Sequence, residues 1–151
     1  MIKLAQNPSP VEIMSLYVAF LRAIYQIFQD AHWKSKGPEF YSKHLLFQRL
    51  YEQTQETVDD AAEKTIGVFG ELKDYHDVIK DVCDKFEPEN HDGDFVMACL
   101  KAEEMFLAFS QQIYNSLKEM DAMTLGLDDF IMSVASKHEV HVYLLKQSLS
   151  Q

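Results

Sequence analysis

The sequence predicts an all-α protein: a bundle of four long helices, with a short extra helix in the connection between the second and the third. Apolar residues recur at steps of three and four along four long stretches, which is the period of a helix with a buried face. Glycine and proline number only 5 and 4, fewer than the tight turns of an all-β fold require. The length of 151 residues fits a single domain, residues 1–151, with a sizeable core.

The first helix has a strong start signal. Ser9 can cap it, Pro10 suits the first helical position, and Glu12 completes a capping box. Two apolar stripes follow, so the helix should be buried on more than one side. It is therefore either central in the bundle or in contact with another subunit. We expect it to end before Gly37-Pro38.

The remaining helices follow from the same periodicity. We expect a second helix over residues 41–69 with Gly70 as its stop, a third over residues 94–120 and a fourth over residues 127–149. Residues 74–86 have helical spacing inside the long connection, and Pro88 should end that short helix. Two helices, one long crossover and two further helices make the ferritin-like layout.

Charge and cysteine content narrow the function classes. The net charge of −10 repels phosphate backbones and attracts cations, although acidity can also serve solubility alone. Lys3 is the one basic residue among the first ten, so the N-terminus is not a basic DNA-binding arm. Cys83 and Cys99 form no C-x-x-C pair, which favours a reduced, cytoplasmic protein. No apolar run is long enough for a membrane span, and no signal peptide is evident.

Two histidines flank the first turn. His32 lies six residues before Pro38 and His44 six residues after it, so both imidazoles should reach similar heights on facing antiparallel helices. A single helical histidine is most often structural, but paired neutral imidazoles are also common metal ligands. Both interpretations remain open on the spacing alone.

Asp59 and Glu63 lie four residues apart and share a face of the second helix. Such a stripe is often just a solvated surface, yet iron favours carboxylate oxygen beside imidazole. His44 and Asp59 are fifteen residues apart, roughly 22 Å along one helix, so they cannot hold the same ion within one chain. Two copies packed antiparallel about a two-fold axis would bring the histidines of one to the carboxylates of the other.

Residues 31–70 resemble the signature of the Dps family, the mini-ferritins. The likeness consists of a His-Trp pair, a glycine followed by an aromatic residue, a second histidine twelve residues after the first, and an Asp and a Glu four apart. Residues 136–149 resemble the last helix of the family, with Tyr143 where tryptophan is usual. The positions that match the signature are His32, Trp33, Gly37, Phe40, His44, Asp59 and Glu63.

The resemblance implies a ferroxidase site between subunits, with His32 and His44 of one chain facing Asp59 and Glu63 of its partner. Hydrogen peroxide, or more slowly dioxygen, would oxidise iron(II), and the iron(III) mineral would be stored in a hollow shell of twelve subunits that protects against oxidative stress. Zinc could substitute for iron. The family usually has an Asp where this chain has Gln48, which weakens one iron subsite.

Trp33, the two aspartates at the start of the last helix and two C-terminal histidines are further candidates for a role. Trp33 would pack as a buried residue or act as a sacrificial reductant. Asp128 and Asp129 open the last helix and suit its N-terminus, while the resemblance makes Asp129 a candidate for an iron-conducting three-fold pore. The Glu-x-x-His pair of other ferritins is absent, and His138 and His141 are expected to have packing or surface roles.

Two alternatives to the ferroxidase remain from the sequence. One is a shell that coats and protects DNA, which the acidic charge and the N-terminus disfavour. The other is a shell whose metal site has decayed, for which Gln48 is the evidence.

Overall fold

The computed structural model describes residues 5–149, and this part of the chain is entirely helical, without strands. Residues 1–4, with Lys3, and residues 150–151 lie outside the description. The all-α four-helix bundle predicted from the apolar periodicity is confirmed. The helices are α1 (Pro10–Lys34), α2 (Phe40–Phe69), α3 (His76–Lys85), α4 (Phe95–Glu119) and α5 (Leu125–Leu149), with a 3-10 turn at Pro88–His91.

Side-chain caps fix the helix starts close to where the sequence places them. The Ser9 Oγ accepts from the Glu12 backbone N–H at 3.2 Å and donates to the Glu12 carboxylate at 3.1 Å. Asp94 caps α4 by accepting from the Met97 N–H at 3.1 Å. Gly70 ends α2 in the left-handed region at φ 89°, where a side chain would be strained.

Helix α1 occupies the centre of the bundle. It packs against α2, α3 and α4, which accounts for the two apolar stripes within one chain. By length and mean hydropathy (1.4), α1 is the one helix among residues 5–149 that could span a membrane, but 72% of that window is buried. This burial is consistent with the core helix of a soluble bundle.

Aromatic contacts join α1 to α4 in the core. The rings of Tyr17 and Phe106 meet edge to face with centroids 5.5 Å apart, and Phe20 stacks on Phe109 at the same separation. Such pairs add about 1 kcal/mol each beyond the burial of their area. They fix the spacing of the two helices on this side of the core.

The crossover from α2 to α4 lies against α1. The Lys73 backbone N–H donates to the Ser15 Oγ at 2.9 Å, and the Cys83 thiol lies 3.3 Å from the Gln26 side-chain oxygen. Pro88 does end the short helix α3, as expected, but it also begins a 3-10 turn that was not predicted. Proline tolerates this position because the first turn of a helix needs no N–H from it.

Candidate metal sites

The imidazoles of His32 and His44 are in direct contact. Their rings stack with centroids 3.6 Å apart and planes 17° apart. The Nδ1–H of His32 donates to the His44 carbonyl at 2.8 Å, and the Nδ1–H of His44 donates to the His32 carbonyl at 2.7 Å. The matching heights predicted from the six-residue offsets about Pro38 are therefore present in the structure.

These reciprocal bonds leave the metal-binding nitrogens available. With Nδ1 occupied by a carbonyl, each neutral ring has its lone pair on Nε2. Neither Nε2 forms a hydrogen bond with any residue of the described range 5–149. His32 is only 8% exposed, and the Tyr51 ring lies 5.2 Å from it. The histidine pair is thus held in one orientation and can offer two adjacent nitrogen ligands to an ion.

The acidic residues form a separate, exposed cluster on α2. Asp59, Asp60 and Glu63 each offer a carboxylate oxygen, and these atoms lie within 4.8 Å of one another. Among residues 5–149 none of the three has a salt-bridge partner. Asp60 was not singled out in the sequence, and it adds a third negative charge to the predicted pair.

The structure does not bring the histidines and the carboxylates together within one chain. Helix α2 is continuous from Phe40 to Phe69, so the fifteen residues between His44 and Asp59 span roughly 22 Å at 1.5 Å per residue. Gln48, on the same helix, turns its amide to Glu52 and donates to that carboxylate at 2.9 Å. The amide is therefore committed to a neighbour on its own helix.

A second group of possible ligands lies inside the bundle, where no site is predicted from the sequence. Glu103 of α4 is 0% exposed, and His138 and His141 of α5 are each 1% exposed. The Nδ1 atoms of His138 and His141 lie 2.7 and 2.9 Å from the Glu103 carboxylate oxygens. Of the packing or surface roles expected for the two histidines, packing is confirmed and a surface role is wrong, because both face the core and contact a buried carboxylate.

Electrostatics in this buried cluster are dominated by desolvation and by the mutual contacts. Burial alone would raise the pKa of Glu103, but Coulombic attraction and hydrogen bonds from His138 and His141 outweigh it and leave the pKa below its ordinary value. Burial lowers the pKa of His141, although Glu103 opposes this. The Nε2 of His141 lies 2.7 Å from the side-chain oxygen of Gln53 on α2, so three helices contribute to the cluster.

A signal for this cluster was present in the sequence. Glu103 occupies the buried stripe of α4 between Cys99 and Phe106, where steps of three and four otherwise place core residues. His138 and His141 occupy the equivalent stripe of α5. A charged residue in an apolar stripe needs a buried partner, and which partner it meets is decided only when α4 and α5 pack.

The structure also shows the positions of Trp33, Tyr143 and the residues at the start of α5. Trp33 is 61% exposed and Tyr143 is 60% exposed, so the expected burial of Trp33 is wrong within one chain. The cap of α5 is Thr124, whose Oγ1 accepts from the Leu127 N–H at 3.0 Å. Asp128 lies 3.9 Å from Lys118, and Asp129 is exposed near the start of α5.

Sequence and structural relatives agree with this architecture. The chain matches no protein-family model. It is 25% identical over 150 residues to DNA protection during starvation protein 2 of Bacillus anthracis, covering 96% of this chain and 99% of that protein. It is 29% identical over 119 residues to the nutrient stress-induced DNA-binding protein of a Nostoc species, covering 78% of this chain and 62% of that protein.

The fold is shared with solved structures. One is the Dps protein of Vibrio cholerae, described as a member of a broad superfamily of ferritin-like diiron-carboxylate proteins. It superposes with a TM-score of 0.77 at 16% identity, over 93% of this chain and 89% of that one. The sequence relatives and the shared helical architecture support the resemblance to the Dps family of ferritin-like proteins.

Proposed function

We propose that the protein is a ferroxidase that oxidises iron(II) at a site shared between two subunits and stores the iron(III) product inside a hollow homo-oligomeric shell, predicted to be a dodecamer. His32 and His44 would come from one subunit and Asp59 and Glu63 from its partner. Iron is the substrate and the stored cargo. The single observation that carries this proposal is the orientation of the His32 and His44 rings, each with its Nδ1 on a carbonyl and its Nε2 free among residues 5–149.

The shared site is supported by the charge of its two halves, since the histidines carry no negative charge and, among the described residues, the carboxylates have no positive partner. Two imidazoles alone leave the positive charge of iron(III) uncompensated, and the acidic cluster has no cation among residues 5–149. Antiparallel packing of two copies of α2 about a two-fold axis gives both halves what they lack. Trp33 and Tyr41 are exposed beside the histidines and suit contact with a second subunit.

The chemistry follows from the donor set. Imidazole nitrogen suits iron(II), and carboxylate oxygen favours the higher charge of iron(III), so the mixed set promotes loss of an electron. Two iron(II) ions supply the two electrons that reduce one hydrogen peroxide with two protons to two water molecules. Oxidation in pairs avoids the release of hydroxyl radicals, which is how such a shell would protect against oxidative stress. Asp129 is a candidate for lining the pore through which iron enters.

Complementation between two inactive chains tests the sharing of the site. One chain carries His32→Ala and His44→Ala, and the other carries Asp59→Asn and Glu63→Gln. In a mixed pair, one of the two symmetric sites has lost all four ligands and the other is intact. Random co-assembly should restore about one quarter of the wild-type sites, since half of the pairs are mixed and each has one good site.

The measurement is the rate of iron(II) oxidation on rapid mixing with hydrogen peroxide. Each variant assembled alone should be no faster than buffer, and the co-assembled protein should regain activity. If co-assembly restores nothing while the wild type is active, the site is not shared. A wild type no faster than buffer contradicts the ferroxidase itself and favours a shell with a decayed site.

DNA protection is the competing function, because two sequence relatives are named for DNA binding or protection. With 24 acidic residues against 14 basic ones, the chain presents mostly negative charge to a phosphate backbone. We expect no retardation of duplex DNA in a gel at low salt, with or without magnesium. Retardation that disappears as salt rises would instead favour the DNA-binding alternative.

A further inference from the structure

The buried polar cluster of Glu103, His138 and His141 is independent of the proposed interfacial site. All three side chains belong to one subunit, and they lie on α4 and α5 rather than on the helix pair that carries His32 and His44. Aromatic rings enclose them. Phe106 lies 4.7 Å from the His138 ring, and Phe28 of α1 meets the His141 ring edge-on at 6.3 Å.

We propose that Glu103, His138 and His141 form a second metal site inside each subunit, which binds a divalent first-row transition-metal ion through two imidazole nitrogens and one carboxylate. Two histidines and one carboxylate are a common protein ligand set for iron(II) and zinc(II). One ligand atom from each residue lies within 4.8 Å of the others. This is close enough for a single ion to contact all three after small side-chain movements.

The distances show how small those movements are. The Nδ1 atoms lie 2.7 to 3.0 Å from the Glu103 oxygens. Ligand atoms around an ion at about 2.1 Å are separated by roughly 3.0 to 3.4 Å, so each nitrogen–oxygen pair needs to widen by only a few tenths of an ångström to admit the ion. Both histidines already turn the same nitrogen toward the carboxylate, so neither ring needs to flip.

Gln53 adds a separate reason. Its side-chain oxygen lies 2.7 Å from the Nε2 of His141, where it accepts the ring proton if the imidazole is the Nε2–H tautomer. In the neutral ring the Nδ1 then has only a lone pair, which faces an oxygen lone pair of Glu103 at 2.9 Å. A positive species must lie between the two atoms, either a proton or a metal ion. Gln53 thus acts as a positioning residue that directs Nδ1 toward the site.

Burial argues in the same direction. A carboxylate removed from water loses several kcal/mol of hydration, and buried ionic groups are often no more stabilising than apolar residues of similar size. Leucine or phenylalanine at these three positions would complete the apolar stripes of α4 and α5. The stability of the fold therefore does not explain why these three residues are polar, whereas binding of a metal ion would.

Anomalous diffraction from the assembled protein tests the site directly. The protein is stripped with a chelator, cobalt(II) is added before crystallisation, and data are collected at the cobalt absorption edge. The expected result is an anomalous peak bounded by Glu103, His138 and His141 within each subunit. No peak at this position, in crystals that contain cobalt elsewhere or nowhere, overturns the proposal and leaves a proton as the species between His141 and Glu103.

Two matched variants extend the test to solution. Glu103→Gln should lower cobalt affinity at this site at least about tenfold and remove its visible absorption band. Glu104→Gln is the control, because Glu104 is adjacent but exposed and paired with Lys101 at 3.5 Å. Equal cobalt binding by the Glu103→Gln and Glu104→Gln proteins contradicts the proposal. Should Glu103→Gln not fold, the wild-type crystal alone decides the question.

The internal site and the interfacial site can be tested independently of each other. The double variant His32→Ala/His44→Ala should lose any cobalt peak between subunits and retain the peak beside Glu103. A double variant that loses the internal peak as well would contradict the independence of the two sites.

Discussion

His32 and His44 hold each other in place through their backbones: each imidazole Nδ1–H donates to the other residue's carbonyl, at 2.8 and 2.7 Å, while the two rings stack. Replacing either side chain with alanine keeps both backbone carbonyls, so the remaining ring keeps its hydrogen bond and loses only its stacking partner. Together the two oriented rings present two adjacent Nε2 atoms.

This relationship predicts non-additive kinetics. His32→Ala and His44→Ala should each reduce the rate of iron(II) oxidation at least about tenfold, and the double variant should be little worse than either single one, because both imidazoles are needed to hold the same ion. Initial rates after mixing with hydrogen peroxide measure this. His76→Ala is the control, since His76 is exposed on α3 and distant in sequence from the pair. If the rate reductions of the two single variants multiply in the double variant, the two histidines act as independent ligands.

Gln48→Asp should strengthen iron binding at the shared site. The change supplies the carboxylate that the Dps resemblance leads one to expect and releases Gln48 from its bond to Glu52 at 2.9 Å. The new like-charge pair should cost the helix about 0.5 kcal/mol or less.

Iron(II) titration with calorimetric detection measures the affinity. Gln111→Asp is a matched control, because Gln111 makes an equivalent bond to Asn115, at 3.0 Å, on the exposed face of α4. If Gln111→Asp increased the iron(II) affinity as much as Gln48→Asp does, the increase would be an effect of net charge and not of a new ligand.

Glu103→Leu should destabilise the metal-free protein by roughly 3 kcal/mol, because it leaves the polar groups of His138 and His141 buried without their partner. Replacing all three residues with leucine should cost less, since no buried charged group then remains unpaired and the half-buried Gln53 amide, which loses His141, can bind water. Urea unfolding in the presence of a chelator compares the proteins, with Glu104→Gln expected within about 0.5 kcal/mol of wild type. A triple variant less stable than the single one contradicts this account.

Cys83 should react slowly with alkylating reagents. Burial, then the nearby carboxylates of Asp30, Glu87 and Asp84, raises the pKa of this thiol to about 11. Since the thiolate is the nucleophile, the labelling rate should rise about tenfold per pH unit from about pH 8 to about pH 10. Mass spectrometry after iodoacetamide treatment follows the reaction.

The matched control for this reaction is Cys83→Ser, which leaves only Cys99. That thiol is fully buried, so the variant should remain unlabelled over the same range. A labelling rate that levels off near pH 9 would contradict the raised pKa of Cys83.

Local sequence determined the helices and one half of the candidate chemistry. Capping residues such as Ser9 and stop residues such as Gly70 act within a few positions, so they can be recognised without the fold. The similar heights of His32 and His44 could also be predicted, because equal offsets from a turn set equal heights on two antiparallel helices, whereas the stacking of their rings could not. The separation of His44 from Asp59 followed from helical rise alone.

Tertiary structure alone decided the internal cluster. Glu103 is thirty-five residues from His138, and no local pattern records which buried positions of α4 and α5 face each other. Whether these residues come into contact depends on how α4 and α5 rotate as their apolar stripes pack. A single polar residue in an apolar stripe does not by itself indicate which residue it will contact. The sequence therefore predicted a site at the surface of the subunit, and only the packed bundle brings together the buried group of Glu103, His138 and His141.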